Sequence, residues 1–278
     1  VALSGDGGDE LFAGYTRYYW ANLINNKFYK IPLSIRKMLA RSIELPSNKF
    51  WESLFQFVPS TKNMPRVGER IGKFANFLRE PNANALYRNQ HSHWLNPENM
   101  ILNSTEPRGI PFDDDLTSEI PNFITRMQFI DSVTYLPDDI LTKLDRASMA
   151  VGLEARVPML DHRVVEYSWK IPQRMKFRDG ISKWLPRQVL YKYLPKSYVD
   201  HPKKGFSIPL SDWLRGPLKD WANSYLSIDH LKQDGYWNYQ EVNSSWENFL
   251  KGDSINQESI WGVLMFESWI EKNKNNNK

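Results

Sequence analysis

The 278-residue sequence contains no cysteine. That absence excludes a disulfide scaffold, a thiolate zinc site and a cysteine nucleophile within the chain. No apolar run reaches the roughly 18 residues of a membrane-spanning helix, and no secretory signal is recognisable. We therefore expect a cytoplasmic protein without a membrane segment.

The sequence also lacks a strong excess of charge of either sign. Lys and Arg number 36 against 32 Asp and Glu, which gives a net charge of +4. The basic residues are interleaved with acidic ones rather than clustered with aromatic side chains, so nucleic acid is not the expected partner.

Two nucleotide-binding motifs are missing. Glu10 stands where the last glycine of Gly-x-Gly-x-x-Gly would fall, and no Gly-Lys-Ser/Thr follows, which excludes a dinucleotide fingerprint and a Walker loop. What the chain does have is enough length for one large or two modest domains, together with 11 tryptophans. Its length and tryptophan content therefore predict a folded globular protein.

The most informative feature is the turn at residues 4–10, Ser-Gly-Asp-Gly-Gly-Asp-Glu, between a strand-like apolar run and a helix-like segment. Its glycines allow close backbone approach to a ligand, and the start of a helix presents N–H groups to an anion. Asp6 and Asp9 would repel a phosphate that carries no cation, so a divalent cation is expected between these carboxylates and the phosphate. The sequence predicts a metal–nucleotide or metal–pyrophosphate site here. The simpler alternative is an ordinary turn with Asp9 as a helix N-cap.

The rest of the chain indicates a mainly helical fold. Helical spacing continues to about residue 45, a proline-rich stretch over 46–121 is typical of an insertion or lid, and two helices follow, the first ended by Pro137 and the second capped by Asp138 and stopped near Gly152. We predict one domain over residues 1–272 and a disordered polar tail over 273–278.

Two further segments carry charged residues with open interpretations. Glu154 and Arg156 share one side of an extended segment, where they form either a structural ion pair or a buried support for a ligand loop. Lys203 and Lys204 precede a glycine in a basic turn. A lysine there can direct its ammonium at a phosphate or an oxyanion, or simply face solvent.

Four motifs taken in order closely resemble the synthetase domain of glutamine-dependent asparagine synthetases. The resemblance covers roughly residues 1–220. The motifs are residues 4–15, residues 136–149 from Leu-Pro-Asp-Asp through Asp-Arg to Met, residues 154–161 (Glu-Ala-Arg-Val-Pro-Met-Leu-Asp) and residues 202–206 (Pro-Lys-Lys-Gly-Phe).

The resemblance implies a fold and an activity. The fold is an α/β ATP-pyrophosphatase domain, of which this chain is the mostly α-helical C-terminal part, starting at a core β-strand. The activity is that of a ligase that uses ATP and Mg²⁺ to activate the aspartate side-chain carboxylate as an acyl-adenylate. Ammonia derived from glutamine then displaces AMP and gives asparagine.

The resemblance also assigns roles to individual residues. Asp9 matches a magnesium and pyrophosphate ligand. Asp6 matches a carboxylate that supports the intermediate, also binds the metal, and is a candidate base for the attacking amine. Lys203 matches a lysine near the phosphates and the adenylate, with Lys204 adjacent. Further implied positions are the nucleotide-binding Ser4, Gly5, Gly7 and Gly8, and the supporting Glu10, Asp145, Glu154 and Arg156.

The departures from the family pattern are equally specific. The nucleotide loop Ser-Gly-Gly-x-Asp-Ser and the N-terminal glutaminase do not occur in these residues. We therefore expect a fragment that is inactive alone, whose parent supplies ammonia from a glutaminase domain; a homodimer is left open. Two alternatives remain: the same chemistry on another carboxylate, such as a sugar acid in surface polysaccharide biosynthesis, and a non-catalytic scaffold or weak nucleic-acid binder.

Overall fold

The structure is a computed structural model that describes residues 1–56, 67–94, 96–200, 208–252 and 257–276. Helices dominate the described residues, which confirms the mostly helical prediction. The chain divides into two compact units, whereas the sequence predicts one domain over residues 1–272. Unit 1 comprises Val1–Gln90 and Arg108–His201, and unit 2 comprises His91–Pro107 and Pro202–Lys278. No described helix combines the length and apolarity needed to cross a membrane.

Unit 1 consists of short and medium helices together with a small parallel ladder and a short hairpin. The helices are α1 (Gly8–Leu11), α2 (Thr16–Lys27), α3 (Leu33–Glu44), α4 (Asn48–Phe55), α5 (Val67–Arg79), α6 (Ala83–His91, which ends at the unit boundary), α7 (Leu116–Glu119), α8 (Phe123–Val133), α9 (Thr142–Met149), α10 (His162–Lys170), α11 (Gln173–Lys176), α12 (Trp184–Leu190) and α13 (Lys196–Val199). Single 3-10 turns lie at Ile110–Phe112 and Pro158–Leu160.

The pair of helices expected around Pro137 is joined differently from the prediction. The Asn122 side chain caps α8 by accepting a hydrogen bond from the Thr125 N–H. Pro137 and Asp138 then lie inside a π-helical turn, Leu136–Leu141, that leads directly into α9. Proline is tolerated in a first helical turn because its missing N–H has no partner there, so it does not end the helix. Gly152 adopts a φ of 66° after α9, in line with the expected stop.

Four two-residue strands complete unit 1. Strand β1 (Ala2–Leu3) pairs in parallel with β2 (Ala155–Arg156), whereas β3 (Phe177–Arg178) and β4 (Ile181–Ser182) form an antiparallel hairpin. The opening segment is thus a strand, and its place in the core sheet of a longer parent domain stays a prediction. Leu3 is 77% exposed, because among the described residues β1 is paired only with β2 and neither face is covered.

The core of unit 1 lies where α2, α6 and α8 meet. Tyr18, Ala21, Leu86 and Met127 are buried there. Burial of these side chains supplies the main driving force for holding the three helices together. Asp131 of α8 is buried in the same region and ties the helices together through polar contacts described below.

Unit 2 is a helical bundle with its own core, which contains Trp246 and Phe249 stacked on each other. Its helices are α14 (Leu210–Arg215), α15 (Lys219–Leu226), α16 (Ile228–Asp234), α17 (Tyr239–Lys251) and α18 (Gln257–Asn276), with a 3-10 turn at Pro97–Asn99. Helix α18 continues through Asn276 and so includes residues 273–276, which the sequence analysis assigned to a disordered tail; residues 277–278 lie outside the described residues.

Candidate functional site

The glycine-rich turn is anchored by main-chain bonds to the segment around β2. The N–H of Ala2 donates to the Glu154 carbonyl at 2.8 Å, and the N–H of Ser4 donates to the Arg156 carbonyl at 2.8 Å. The turn therefore leaves the end of β1 in a fixed direction. Glu154 and Arg156 contribute to it through their backbone.

Gly7 fixes the shape of the turn. Its φ is 81°, and a Cβ at this position would lie 2.4 Å from Cδ2 of Leu160. Only glycine fits both the left-handed conformation and the close contact. Gly7 is also the N-cap of α1, so Asp9 lies within the first turn of the helix, and the alternative of Asp9 as N-cap is wrong.

The two carboxylates of the turn have different surroundings. Asp6 is half-buried and accepts a hydrogen bond from the Ser4 hydroxyl. The backbone before it is open, since a Cβ on Gly5 would meet no atom within 4 Å among the described contacts. Asp9, in contrast, is paired with a cation.

That cation is Lys183, whose Nζ lies 2.8 Å from Oδ2 of Asp9, with both side chains 26% exposed. Lys183 occupies a left-handed conformation at φ 53° and ψ 38° immediately before α12. Its backbone N–H donates to the Phe12 carbonyl at 3.1 Å. A non-glycine residue held in this conformation marks a position that the surrounding structure over-determines.

Gly14 makes room for this ion pair. A Cβ at Gly14 would lie 2.1 Å from Oδ1 of Asp9, 2.4 Å from Cε of Lys183 and 2.8 Å from the Asp9 Cα. The Gly14 N–H also donates to the Asp9 carbonyl at 2.7 Å. The carboxylate and the lysine stem therefore lie directly over a glycine that has no space for a side chain.

Glu10 supports the turn from beneath. Its side chain is buried and accepts a 2.6 Å hydrogen bond from the Tyr15 hydroxyl, while its carbonyl accepts one from Nε2 of Gln128. Burial raises the pKa of Glu10, and the Tyr15 hydrogen bond opposes part of that rise. Oε1 of Gln128 in turn accepts from the Gln173 amide at 2.6 Å, which connects the turn to α11.

A buried polar cluster stabilises the helices behind the turn. Asp131 is fully buried and accepts hydrogen bonds from the hydroxyls of Tyr18 and Tyr87 and a 2.8 Å ion pair from Arg17. The Arg17 guanidinium also lies 3.8 Å above the Tyr15 ring. This cluster joins α2, α6 and α8 and holds Tyr15 beneath Glu10.

The remaining predicted residues lie apart from this pair. Glu154 and Arg156 form an ion pair at 2.5 Å with side chains 54% and 66% exposed, so of the two alternatives the structural ion pair is the one observed. Asp145 is exposed on α9, and its carboxylate has no hydrogen bond or ion pair among the described residues. Lys203 and Lys204 lie outside the described residues.

Lys183 is the residue that sequence reasoning missed. Residues 181–185, Ile-Ser-Lys-Trp-Leu, predict only the start of a helix and give Lys183 no functional role. Asp179 and Gly180 adopt φ values of 51° and 80°, which is the pattern of a two-residue hairpin turn. Asp-Gly between short apolar–polar segments is a strong hairpin signal, and it would have placed Lys183 at the end of a turn rather than within a helix.

Chemically, the site combines two carboxylates with an ammonium. Oxygen donors such as Asp6 and Asp9 suit a hard divalent cation, and lysine is a compact positive charge suited to phosphate oxygens. Asp6, Asp9 and Lys183 are all partly exposed, so each side chain is accessible to solvent.

Comparison with known proteins gives one matching family and several similar curated proteins. The family model described as Asparagine synthase matches residues 1–271. Asparagine synthetase [glutamine-hydrolyzing] 1 of Bacillus subtilis is 30% identical over 270 residues, which are 97% of this chain and 40% of that protein. A putative asparagine synthetase [glutamine-hydrolyzing] of Mycobacterium tuberculosis is 29% identical over 271 residues, 97% of this chain and 39% of that protein.

A more distant relative carries a different name. Amidase chyE of Penicillium rubens is 24% identical over 281 residues, covering 96% of this chain and 41% of that protein. The chain thus spans about 40% of the length of the curated relatives it matches. No solved structure gave a significant match.

Proposed function

Because the chain belongs to the asparagine synthase family, we propose that it supplies the acidic turn and a phosphate-binding lysine to an ATP-dependent ligase that converts a carboxylate into an amide. The acceptor that fits the named relatives best is the aspartate side chain, and the nitrogen source is ammonia released from glutamine. The 278 residues alone are expected to be inactive, because the nucleotide loop and the glutaminase do not occur in them.

The first proposed step is activation of the carboxylate. A carboxylate oxygen of the acceptor attacks the α-phosphorus of ATP, the bond from that phosphorus to the bridging oxygen breaks, and pyrophosphate leaves. Magnesium, held by Asp9 with Asp6, would neutralise charge on the phosphates. Lys183 and, from the sequence, Lys203 and Lys204 would hold phosphate oxygens by charge-assisted hydrogen bonds.

The second step is amide formation. The nitrogen of ammonia attacks the acyl carbon of the adenylate, the bond from that carbon to the phosphate oxygen breaks, and AMP leaves. The attacking nitrogen must lose a proton, and Asp6 lies in the open part of the turn where a carboxylate can accept it. Asp6 would thus act as base once the metal-bound phosphates have left.

One observation carries the proposal: Asp9 and Lys183, which are 174 positions apart in the sequence, meet at 2.8 Å over Gly14. In the ligand-free arrangement each neutralises the other. When a metal-bound phosphate enters, the Asp9 carboxylate can bind the metal and the Lys183 ammonium can bind the phosphate. Both side chains keep the charges that they carry in the ion pair. Such a pair is therefore prepared for both ligands.

The test uses the parent polypeptide, meaning the full-length protein that carries this chain. We expect Asp9→Asn and Lys183→Met each to reduce carboxylate-dependent ATP–pyrophosphate exchange by about 100-fold or more, the usual effect of losing one preorganised charge partner. Lys219→Met is the control, because Lys219 is an exposed lysine of α15 in unit 2 and lies in none of the four motifs. Full exchange activity in Lys183→Met would contradict the role given to this lysine.

A second comparison tests the sequence alignment of the basic turn. Lys203→Ala should depress exchange more than Lys204→Ala, because the resemblance assigns the phosphate contact to Lys203. The reverse order would show that the assignment is displaced by one residue.

One relative is named an amidase, and this name supports a second candidate for the acceptor substrate. In that version the same turn activates a different carboxylate, such as a sugar acid. Measuring AMP release from the parent polypeptide with aspartate, and then with a panel of other carboxylic acids, separates the two. Aspartate-independent AMP release that requires another acid would select the second acceptor.

A further inference from the structure

Unit 2 contains a second group of charged side chains, which the proposed function does not use. His230, Asp234 and Glu267 each direct one donor atom toward a common point, and the three atoms all lie within 4.8 Å of one another. Nε2 of His230 is 3.0 Å from Oδ2 of Asp234 and 3.1 Å from Oε2 of Glu267. We call these residues the α16–α18 triad.

The local sequence explains why the three meet. His230 and Asp234 are four residues apart on α16, so they share one face of that helix. Ser227 caps the helix start through the His230 N–H, and Gly235 ends it at a φ of 74°. Glu267 projects from the middle of α18, and its side chain is 1% exposed.

The outer oxygens of both carboxylates are held by other groups. The Trp237 indole N–H donates to Oε1 of Glu267, and Nζ of Lys274 lies 2.8 Å from Oδ1 of Asp234. This leaves Oε2 and Oδ2 facing Nε2 of His230. Metal sites are typically built in this way, with the non-ligating oxygen of each carboxylate fixed by an outer hydrogen bond.

The charges around the triad do not balance without a cation. A cavity of about 290 Å³ adjoins it and is lined by three carboxylates, those of Asp234, Glu267 and Glu271, against the Lys274 ammonium and the His230 imidazole. Among the described residues no lysine or arginine pairs with the buried Glu267. Even with His230 protonated, three carboxylates face two cations, and a dication at the triad would offset this excess of negative charge.

We propose that the α16–α18 triad binds one divalent transition-metal ion of the zinc class, with an open coordination position toward the cavity. One imidazole nitrogen and two carboxylate oxygens are a donor set that suits zinc better than magnesium. Zinc bonds of 2.0–2.1 Å at tetrahedral angles separate ligand atoms by about 3.3 Å. The separations from Nε2, 3.0 and 3.1 Å, need to change by only a few tenths of an ångström.

The experiment titrates the 278-residue chain with Zn²⁺ against a chromogenic chelator, and with Co²⁺ to read the coordination geometry from its visible absorption. We expect one ion per chain, a four-coordinate Co²⁺ spectrum and no displacement by millimolar Mg²⁺. His230→Gln and Glu267→Gln should each weaken Zn²⁺ binding by more than about 100-fold, since loss of an outer partner alone costs 10–100-fold.

Two controls separate this site from others on the chain. Asp229→Asn removes an exposed carboxylate from the same helix and should leave Zn²⁺ affinity within about threefold. Asp9→Asn removes the proposed ligand in unit 1 and should also leave it unchanged. Glu267→Gln retains an oxygen for the Trp237 N–H, and its circular dichroism spectrum and unfolding midpoint report whether the fold is kept.

Three results would overturn the proposal: no stoichiometric ion, equal binding by the wild type and both triad variants, or loss of binding in Asp9→Asn. In any of these cases the triad is a hydrogen-bonded network that joins α16 to α18. Because unit 1 carries the proposed ligase residues, failure here leaves that function untouched.

Discussion

Replacing Gly14 by alanine adds one methyl group at the point where Asp9 and Lys183 meet. The new Cβ would lie 2.1 Å from Oδ1 of Asp9, 2.4 Å from Cε of Lys183 and 2.8 Å from the Asp9 Cα. The first two atoms belong to side chains that can move, but the third is backbone. Both the ion pair and the first turn of α1 must therefore shift.

The expected magnitudes differ for stability and for activity. Overpacking of this kind costs about 1–3 kcal/mol, and loss of a partly exposed ion pair adds at most about 1 kcal/mol. The free energy of unfolding should fall by about 2 kcal/mol, within the range of ordinary point mutations. Activity is more sensitive, because a displacement of about 1 Å in a catalytic group costs about 100-fold in rate.

The assay pairs urea denaturation of the 278-residue chain with ATP–pyrophosphate exchange by the parent polypeptide. Gly8→Ala is a control in the same turn for the stability measurement alone, since its Cβ would make only ordinary contacts, 3.6 Å from Met159 Cε and 3.7 Å from Lys183 Nζ. Gly72→Ala, where a Cβ meets nothing within 4 Å in α5, should stabilise the chain by about 1 kcal/mol. Wild-type stability and exchange in Gly14→Ala would refute the geometry of the pair.

Three further substitutions test buried charges. Burial lowers the pKa of Lys176 to about 8, below its unfolded value of 10.5, so wild-type stability should rise with pH between these values. Lys176→Met should be more stable by about 3 kcal/mol at pH 7 and lose that advantage near pH 10.5, as measured by urea titrations at each pH. Asp131→Asn should lower the free energy of unfolding by about 3 kcal/mol, because it leaves Arg17 without its partner, and an unchanged unfolding midpoint would contradict this. Burial raises the pKa of Glu10 above 4.5, so folding favours its protonated form; Glu10→Gln should gain stability over the wild type as pH rises above 4.5, and a pH-independent difference would show that Glu10 is not desolvated.

Sequence periodicity indicated the helices up to about residue 45 and the pair around Pro137, but not how they connect. The breaks near Pro32 and the helix at Phe123 follow from local signals, proline and an Asn N-cap, that act within a few residues. The continuation through Pro137 does not, because a π-helical turn depends on the neighbouring packing of Leu136, which is buried. Local signals also do not reveal whether a strand is covered, as Leu3 shows.

The carboxylates of the candidate site, Asp6 and Asp9, could be predicted from the sequence, whereas the contact of Asp9 with Lys183 could be predicted only in part. Glycines and carboxylates at residues 4–10 lie together in the sequence, so their chemistry could be inferred from spacing. Lys183 is brought to Asp9 by a hairpin and a left-handed backbone conformation. Only the dipeptide Asp179-Gly180 hints at that arrangement, and no local rule indicates what the following lysine contacts.

The contact between Asp9 and Lys183 also bears on the order in which the protein folds. Two groups separated by 174 positions can meet only after the intervening helices have formed and docked. The Lys183 N–H to Phe12 carbonyl bond and the β1–β2 ladder close comparably long loops. In a refolding time course, helical circular dichroism should therefore recover before Lys183 reaches Asp9, and a newly made chain would pass through a stage in which the two residues are still apart.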